Sequence, residues 1–214
     1  MVIDSYRHQG MRKRLVEELI KKGISDKLVL AAIESVPRHL FMDNAFLEYA
    51  YQDKAFPIDA GQTISQPYTV AYQSQLLSLE KGMKVLEVGT GSGYQTGVLY
   101  RMGAKVFSIE RHRVLYSKAQ KLMVDLDYNV KLYYGDGFKG VPSYAPYDRI
   151  LVTCGAPEMP QGLLSQLAPN GIMVIPLGAN NEQIMTIVLK KKNNSIEIVE
   201  MGKFKFVPML TNKA

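Results

Sequence analysis

The sequence predicts an α/β fold: a mostly parallel sheet covered by helices on both faces, closed by an antiparallel C-terminal hairpin and preceded by a helical cap. Three observations predict it. From Met83 onward, short apolar runs alternate with segments of helical spacing, the pattern of strands joined by crossover helices. A glycine-rich loop, VGTGSGYQTG, follows the first of those runs and opens a helix. Two late runs, QIMTIVLKKK and SIEIVEMGKF, flank Asn193-Asn194, a pair suited to a hairpin turn.

Each element has its own signal. Met11, Leu15, Val16, Leu19 and Ile20 fall at helical spacing between Gln9 and Lys22, and Gly23 ends that helix. Ser25 or Asp26 caps a second helix carrying Leu28, Ala31, Ala32 and Ile33, which stops before Pro37. The stretch PRHLFMDNAFLEYAYQDKAFPID has no clean period and is expected to be irregular structure draped on the surface. Ser65 is a good N-cap and Pro67 suits a first helical turn, so Pro67 to Leu79 reads as helix. KVLEVG, AKVFSIE, NVKLYYGD, YDRILVT and GIMVIPLG are the core strands. Helices are expected after the glycine loop, from His112 to Leu126, and from Pro160 to Leu167. No repeat or linker divides the chain. One unit is expected: residues 1–80 supply the N-terminal helices and the Ser65 loop, and residues 81–214 the core and hairpin.

Composition excludes several classes. Lys and Arg number 26 against 20 Asp and Glu, a formal charge of +6, but the basic residues are dispersed and read as solvated surface. No apolar run is long enough for a membrane span, and the N-terminal residues lack a signal-type apolar core. Cys154 is the only cysteine, so no internal disulfide forms, and a cytoplasmic setting is expected.

The glycine loop narrows the chemistry. Gly89, Gly91 and Gly93 let the backbone turn tightly and approach a ligand. A dinucleotide fingerprint would want glycine where Tyr94 stands, and a P-loop would want Gly-Lys-Ser/Thr, which is absent. Glu110 ends the second core strand, 21 residues after Gly89, where an acid holds both hydroxyls of a ribose. Asp136 ends the third, and Glu87 lies within the first. Acids in these places suit a cationic ligand without phosphates, which points to S-adenosyl-L-methionine, a sulfonium. Singly, each has a structural reading: glycines shape turns, and Glu110 or Asp136 could cap the segment that follows.

The order and spacing of VPRHLF, AYQDKAFPI, GQTISQPY, VLEVGTGSGYQT, GDG, APYDRILVTCGAPEMP, L-x-P-x-G and FVP resemble the protein-L-isoaspartate O-methyltransferases over nearly the whole chain. GQTISQP is the segment most specific to that family. The resemblance implies a Rossmann-like methyltransferase sheet, S-adenosyl-L-methionine as cofactor with S-adenosyl-L-homocysteine as product, no metal, and isoaspartyl peptides and damaged proteins as substrates. It implies Ser65 as the catalytic position, Gly89, Gly91, Glu110, Asp136 and Gly137 as cofactor contacts, and Thr63 and Ile64 as bordering cofactor and substrate; Glu87, Gly93 and Arg111 complete the expected cofactor set. Thr63, Ile64, Ser65, Phe206 and Val207 are the expected substrate contacts. A monomer is expected, with no nucleic-acid or membrane partner. Two positions depart from the family pattern: Lys205 replaces the usual arginine before Phe-Val-Pro, and Cys154-Gly155 replaces a run of alanines. Lysine offers a point charge in place of a planar fork.

The chemistry fits the residues present. An isoaspartyl residue leaves a free α-carboxylate, and groups of that kind titrate at about 3.3–3.7, so it is ionised and nucleophilic at neutral pH. Methyl transfer to it needs positioning and exclusion of water, with no strong general base. His8, His39 and His112 accordingly sit in no acid–base motif and show no metal spacing, and His39 is expected at the surface or as a cap. Thr63, Ser65 and the following helix N-terminus are expected to meet the substrate carboxylate. The alternatives are a nucleic-acid methyltransferase and an inactive cofactor-binding module. The first would want an Asn/Asp-Pro-Pro-aromatic motif or a Pro-Cys nucleophile where this chain has TCGAP.

Overall fold

The computed structural model describes residues 4–179 and 182–214. The N-terminal cap consists of α1 (Tyr6–Lys21) and α2 (Lys27–Ser35). Asp26 caps α2 by accepting from the Leu28 and Val29 amides, and Gly23 turns the chain at φ +93°. Two very short strands follow, β1 (Phe56–Pro57) and β2 (Thr63–Ile64), paired antiparallel. Next comes α3 (Pro67–Leu76). The core then alternates: β3 (Lys84–Val88), α4 (Tyr94–Arg101), β4 (Lys105–Glu110), α5 (Arg113–Asp125), β5 (Lys131–Tyr134), β6 (Tyr147–Val152), α6 (Gln161–Gln166) and β7 (Leu167–Leu177). The hairpin of β8 (Gln183–Lys190) and β9 (Ile196–Phe204) completes the sheet.

The seven strands lie in the order β5-β4-β3-β6-β7-β8-β9. The first four contacts in that order are parallel and the last two antiparallel. Order reverses between β3 and β6, the switch point where open α/β sheets bind ligands. The central strands are buried on both faces, which explains their continuous apolar runs. The period of two sends Val85 to the face packed by α1–α4, and Leu86 and Val88 to the face packed by α6. It also sends Glu87 under α4, where its Oε2 accepts from Thr96 Oγ1.

The segment expected to drape on the surface is instead part of the core. It forms two 3₁₀ turns, Arg38–Phe41 and Asn44–Tyr49, and buries Arg38, His39, Phe41, Ala50 and Tyr51. Its period is hidden because its buried polar residues bond to partners within the segment itself. Arg38 Nε donates to Ala50 O at 3.0 Å, and its guanidinium lies 4.7 Å from the Tyr94 ring centre. The expectation of a surface His39 is likewise corrected. His39 is 1% exposed, bonded through Nδ1 to the Tyr51 hydroxyl at 2.6 Å and stacked 3.8 Å from His8. Burial pushes its pKa down to about 4, so it is neutral at physiological pH.

Asp4, His8 and His39 gather closely enough to suggest a cation site. The two imidazoles are stacked face to face, however, so their in-plane lone pairs run alongside one another without converging. Both Asp4 oxygens already bind Arg12, at 2.7 and 2.8 Å. The geometry is that of a polar lock tying α1 to the buried turns.

Candidate active site

A cavity lined by polar and glycine residues lies at the carboxyl ends of the central strands. The glycine loop after β3 forms its floor. Glu110, Arg111 and His112 after β4, Gly137 after β5, and Thr153 and Cys154 after β6 form its sides. Gln62 to Ser65 close it from the N-terminal half, and Val207 to Leu210 from the C-terminal half.

The loop is shaped by close approach. Gly89 has φ +99°, and a Cβ there would stand 2.5 Å from Thr153 Oγ1. That hydroxyl donates to Gly89 O at 2.7 Å and stitches β6 to the loop. Glu110 is 4% exposed, with Oε2 accepting from Gly91 N–H and Oε1 from His112 N–H, each at 2.8 Å. The carboxylate is thereby fixed in direction, and its remaining lone pairs are available to a ligand hydroxyl. Arg111 is held at the rim, donating from Nε to Asn212 O at 3.0 Å.

Three of the sequence-selected residues lie behind the cavity wall. Glu87 is fully buried beneath α4, and desolvation raises its pKa to about 8. Gly93 adopts φ +87° at the start of α4, where a Cβ would strike Met123. Asp136 Oδ1 accepts from Phe138 N–H and Oδ2 from Asn212 N–H, both at 3.0 Å. It therefore caps its own turn and fastens the C-terminal segment, while Gly137 reaches the cavity.

The Ser65 turn behaves differently from its sequence reading. Period two along β2 leaves Thr63 exposed, buries Ile64 and leaves Ser65 half-buried. Ser65 is not the N-cap of α3; Gln66 occupies that place without a side-chain bond. The Tyr68 amide in the first turn is instead bonded by Asp53 Oδ1 at 2.7 Å, and Asp53 Oδ2 pairs with Lys22 at 2.6 Å. A carboxylate from the buried segment thus takes the capping duty and part of the helix's positive potential. The Ser65 hydroxyl makes no hydrogen bond among the described residues and borders the cavity.

At the C-terminal part of the lining, Gly155 N–H donates to Val207 O at 2.8 Å, and Met209 N–H donates to Gly155 O at 2.7 Å. These bonds lay residues 207–209 alongside the end of β6, with Val207 facing the cavity. Phe206 stands just outside, its amide donating to Gln183 Oε1 at 2.9 Å. Cys154 lines the same wall, but desolvation pushes its thiol up to about 12, so it is no nucleophile at neutral pH.

Sequence reasoning passed over Gln62, Val70, Gln95 and His112, all at the cavity. The one available signal was Gln95, which with Thr96 is a polar residue in the buried run Tyr94–Leu99 of α4.

Comparison with known proteins bears directly on this site. Residues 10–214 match the family model described as protein-L-isoaspartate(D-aspartate) O-methyltransferase. A protein-L-isoaspartate O-methyltransferase of Christiangramia forsetii is 59% identical over 98% of this chain and 99% of its own. That of Cytophaga hutchinsonii is 56% identical over 97% of this chain and 94% of its own. Among solved structures, a protein-L-isoaspartate O-methyltransferase superposes with a TM-score of 0.85 at 31% identity, covering 94% of this chain and 66% of that one. A Plasmodium falciparum protein assigned to the same activity, solved with S-adenosyl-L-homocysteine, gives 0.81 at 26% identity over 94% and 99%.

Proposed function

The chain belongs to the protein-L-isoaspartate O-methyltransferase family, and from that premise we propose how its residues perform the reaction. The enzyme transfers a methyl group from S-adenosyl-L-methionine to the free α-carboxylate of L-isoaspartyl residues, opening their repair through a succinimide. One carboxylate oxygen attacks the methyl carbon. The S–CH₃ bond breaks, and its electron pair stays on sulfur. A methyl ester and neutral S-adenosyl-L-homocysteine result, with no proton to move.

In this reading Glu110 would hold the cofactor's ribose hydroxyls, and Arg111 and Gly137 would border its base. Gly89 and Gly91 would border its methionine part. Glu87, Gly93 and Asp136 act from behind by holding the loop, the α4 start and the C-terminal segment. The acceptor peptide lies extended between Thr63-Ile64-Ser65 and Phe206-Val207, with Ser65 directing the carboxylate. Selectivity follows from geometry, since the aspartyl carboxylate is displaced by one methylene. A misplacement of about 1 Å costs on the order of a hundredfold in rate.

The observation that carries the assignment of Ser65 is its uncommitted hydroxyl at a cavity that Val207 and the glycine loop also line. The reading extends to one methyltransferase domain over residues 1–214, acting as a cytoplasmic monomer without nucleic-acid or membrane partners. Among the described residues, no helix is long and apolar enough to cross a membrane. The test is methyl transfer to an isoaspartyl peptide and its aspartyl twin, with mass spectrometry of the modified site. Methylation confined to the isoaspartyl peptide is expected. Equal methylation of the two, or methylation of RNA alone, overturns the reading.

A further inference from the structure

Gln95 is the second residue of α4 and stands at the cavity while only 7% exposed. Its Nε2 donates to Ser74 Oγ at 2.9 Å, and Ser74 is fully buried on α3. That bond fixes the amide plane. The other end, Oε1, is buried without a hydrogen-bond partner. An acceptor left bare at a ligand cavity carries a desolvation penalty that only an incoming donor removes.

Its position identifies the donor. Glu110 marks the β4 side of the glycine loop. Gln95 leans to the opposite side, since α3, which it contacts through Ser74, is tied to the end of β6 by Gln73 Nε2 on Val152 O at 2.9 Å. A cofactor with its ribose on Glu110 that crosses the loop after β3 delivers its amino-acid end to the β6 side. That end carries a carboxylate, which only accepts, and an ammonium, which only donates. The sulfonium does neither.

We propose that Gln95 Oε1 accepts a hydrogen bond from the α-ammonium of the cofactor, with Ser74 as the residue that orients the amide. This rests on the cofactor reading above. It makes Gln95 a recognition group for the amino-acid end, matching Glu110 at the ribose end. It also couples cofactor binding to α3, the helix that begins two residues after Ser65.

The test is calorimetry with two ligands, S-adenosyl-L-homocysteine and 5′-methylthioadenosine, which lacks the amino-acid end. Gln95→Leu is expected to weaken the first by about ten- to a hundredfold, the range for one hydrogen bond to a charged group, and to leave the second unchanged. Gln95→Glu, which keeps an acceptor, retains tight binding of S-adenosyl-L-homocysteine. Ser74→Ala, a small change for use if Gln95→Leu fails to fold, weakens the first ligand only, by a few-fold. Equal weakening of both ligands marks a purely structural residue and overturns the proposal. So does tight binding by Gln95→Leu accompanied by a raised KM for the peptide, which moves Oε1 to the acceptor. Loss of binding in Gln95→Glu overturns it too, since the amide would then be a donor to the carboxylate. A wild-type protein that binds neither ligand removes the cofactor reading itself, a result distinct from all of these.

Discussion

Replacing Ser65 with alanine separates structure from chemistry in one variant. The hydroxyl bonds to nothing among the described residues, and α3 is capped by Asp53 through the Tyr68 amide. Removing it should shift stability by no more than about 0.5 kcal/mol, the range for substitutions away from caps and cores. A working Ser N-cap would cost about 0.5–2 kcal/mol. The functional effect is of another size. A hydrogen bond to a carboxylate contributes about 1.5–3 kcal/mol, so kcat/KM should fall by roughly 10- to 150-fold. Methyl transfer neutralises the carboxylate and the sulfonium together. A bond that merely stabilised the anion would therefore strengthen the ground state more than the transition state. On the proposed assignment Ser65 acts by aiming the attacking oxygen, and the loss should appear in the single-turnover rate as well as in peptide affinity. The assay combines urea denaturation, calorimetry with S-adenosyl-L-homocysteine, and single-turnover methylation of an isoaspartyl peptide. Cofactor affinity should stay within about twofold, well under the tenfold that 1.4 kcal/mol represents. A stability loss near 1 kcal/mol, the typical cost of removing a cap, with an unchanged rate per folded molecule would refute the reasoning.

Glu110→Gln places an NH₂ group against the Gly91 or His112 amide and is expected to weaken S-adenosyl-L-homocysteine by about ten- to a hundredfold; unchanged calorimetric affinity removes Glu110 from the site. Glu87 ionises near 4.5 when unfolded and at about 8 in the fold. Between those values the unfolded chain has lost its proton and the folded one keeps it, so this group's contribution to stability falls as pH rises. Glu87→Gln should therefore gain on the wild type from pH 5 to pH 8 in paired urea melts, and a constant difference would show that Glu87 is ionised throughout. With its thiol raised to about 12, Cys154 holds about one thiolate in ten thousand at pH 8, so iodoacetamide should label it only after unfolding; rapid labelling of the native enzyme contradicts the assignment.

The core was legible because its signals are local. Glu110 and the glycine loop could be placed from strand ends alone, and Asp26 caps the helix it was assigned to. What the sequence hid was non-local pairing. Asp53 caps a helix that starts 14 residues later at Pro67, so Ser65 looked like a cap. Arg38 and His39 read as surface because their partners, Ala50 and Tyr51, lie a loop away. Proximity to the glycine loop also made Glu87 and Gly93 look like ligand contacts, although the period of the strand and the turn into α4 direct them inward. β7 begins at Leu167 rather than Gly171, because its register against β6 shifts between Tyr147 and Arg149. No single-strand pattern announces such an irregularity.

The pinning of Val207 and Met209 to Gly155 sets an order of events during synthesis. Chains emerge N-terminus first. The Ser65 turn, the glycine loop, Glu110 and Gly155 all leave the ribosome before the 207–209 segment that faces them. A nascent chain can therefore assemble the glycine loop and Glu110 while still lacking the wall that Val207 and Met209 supply to the cavity. On the proposed peptide site, recognition of damaged protein would be the last capability to appear, and an unfinished copy tethered among other nascent chains would have no completed groove in which to methylate them.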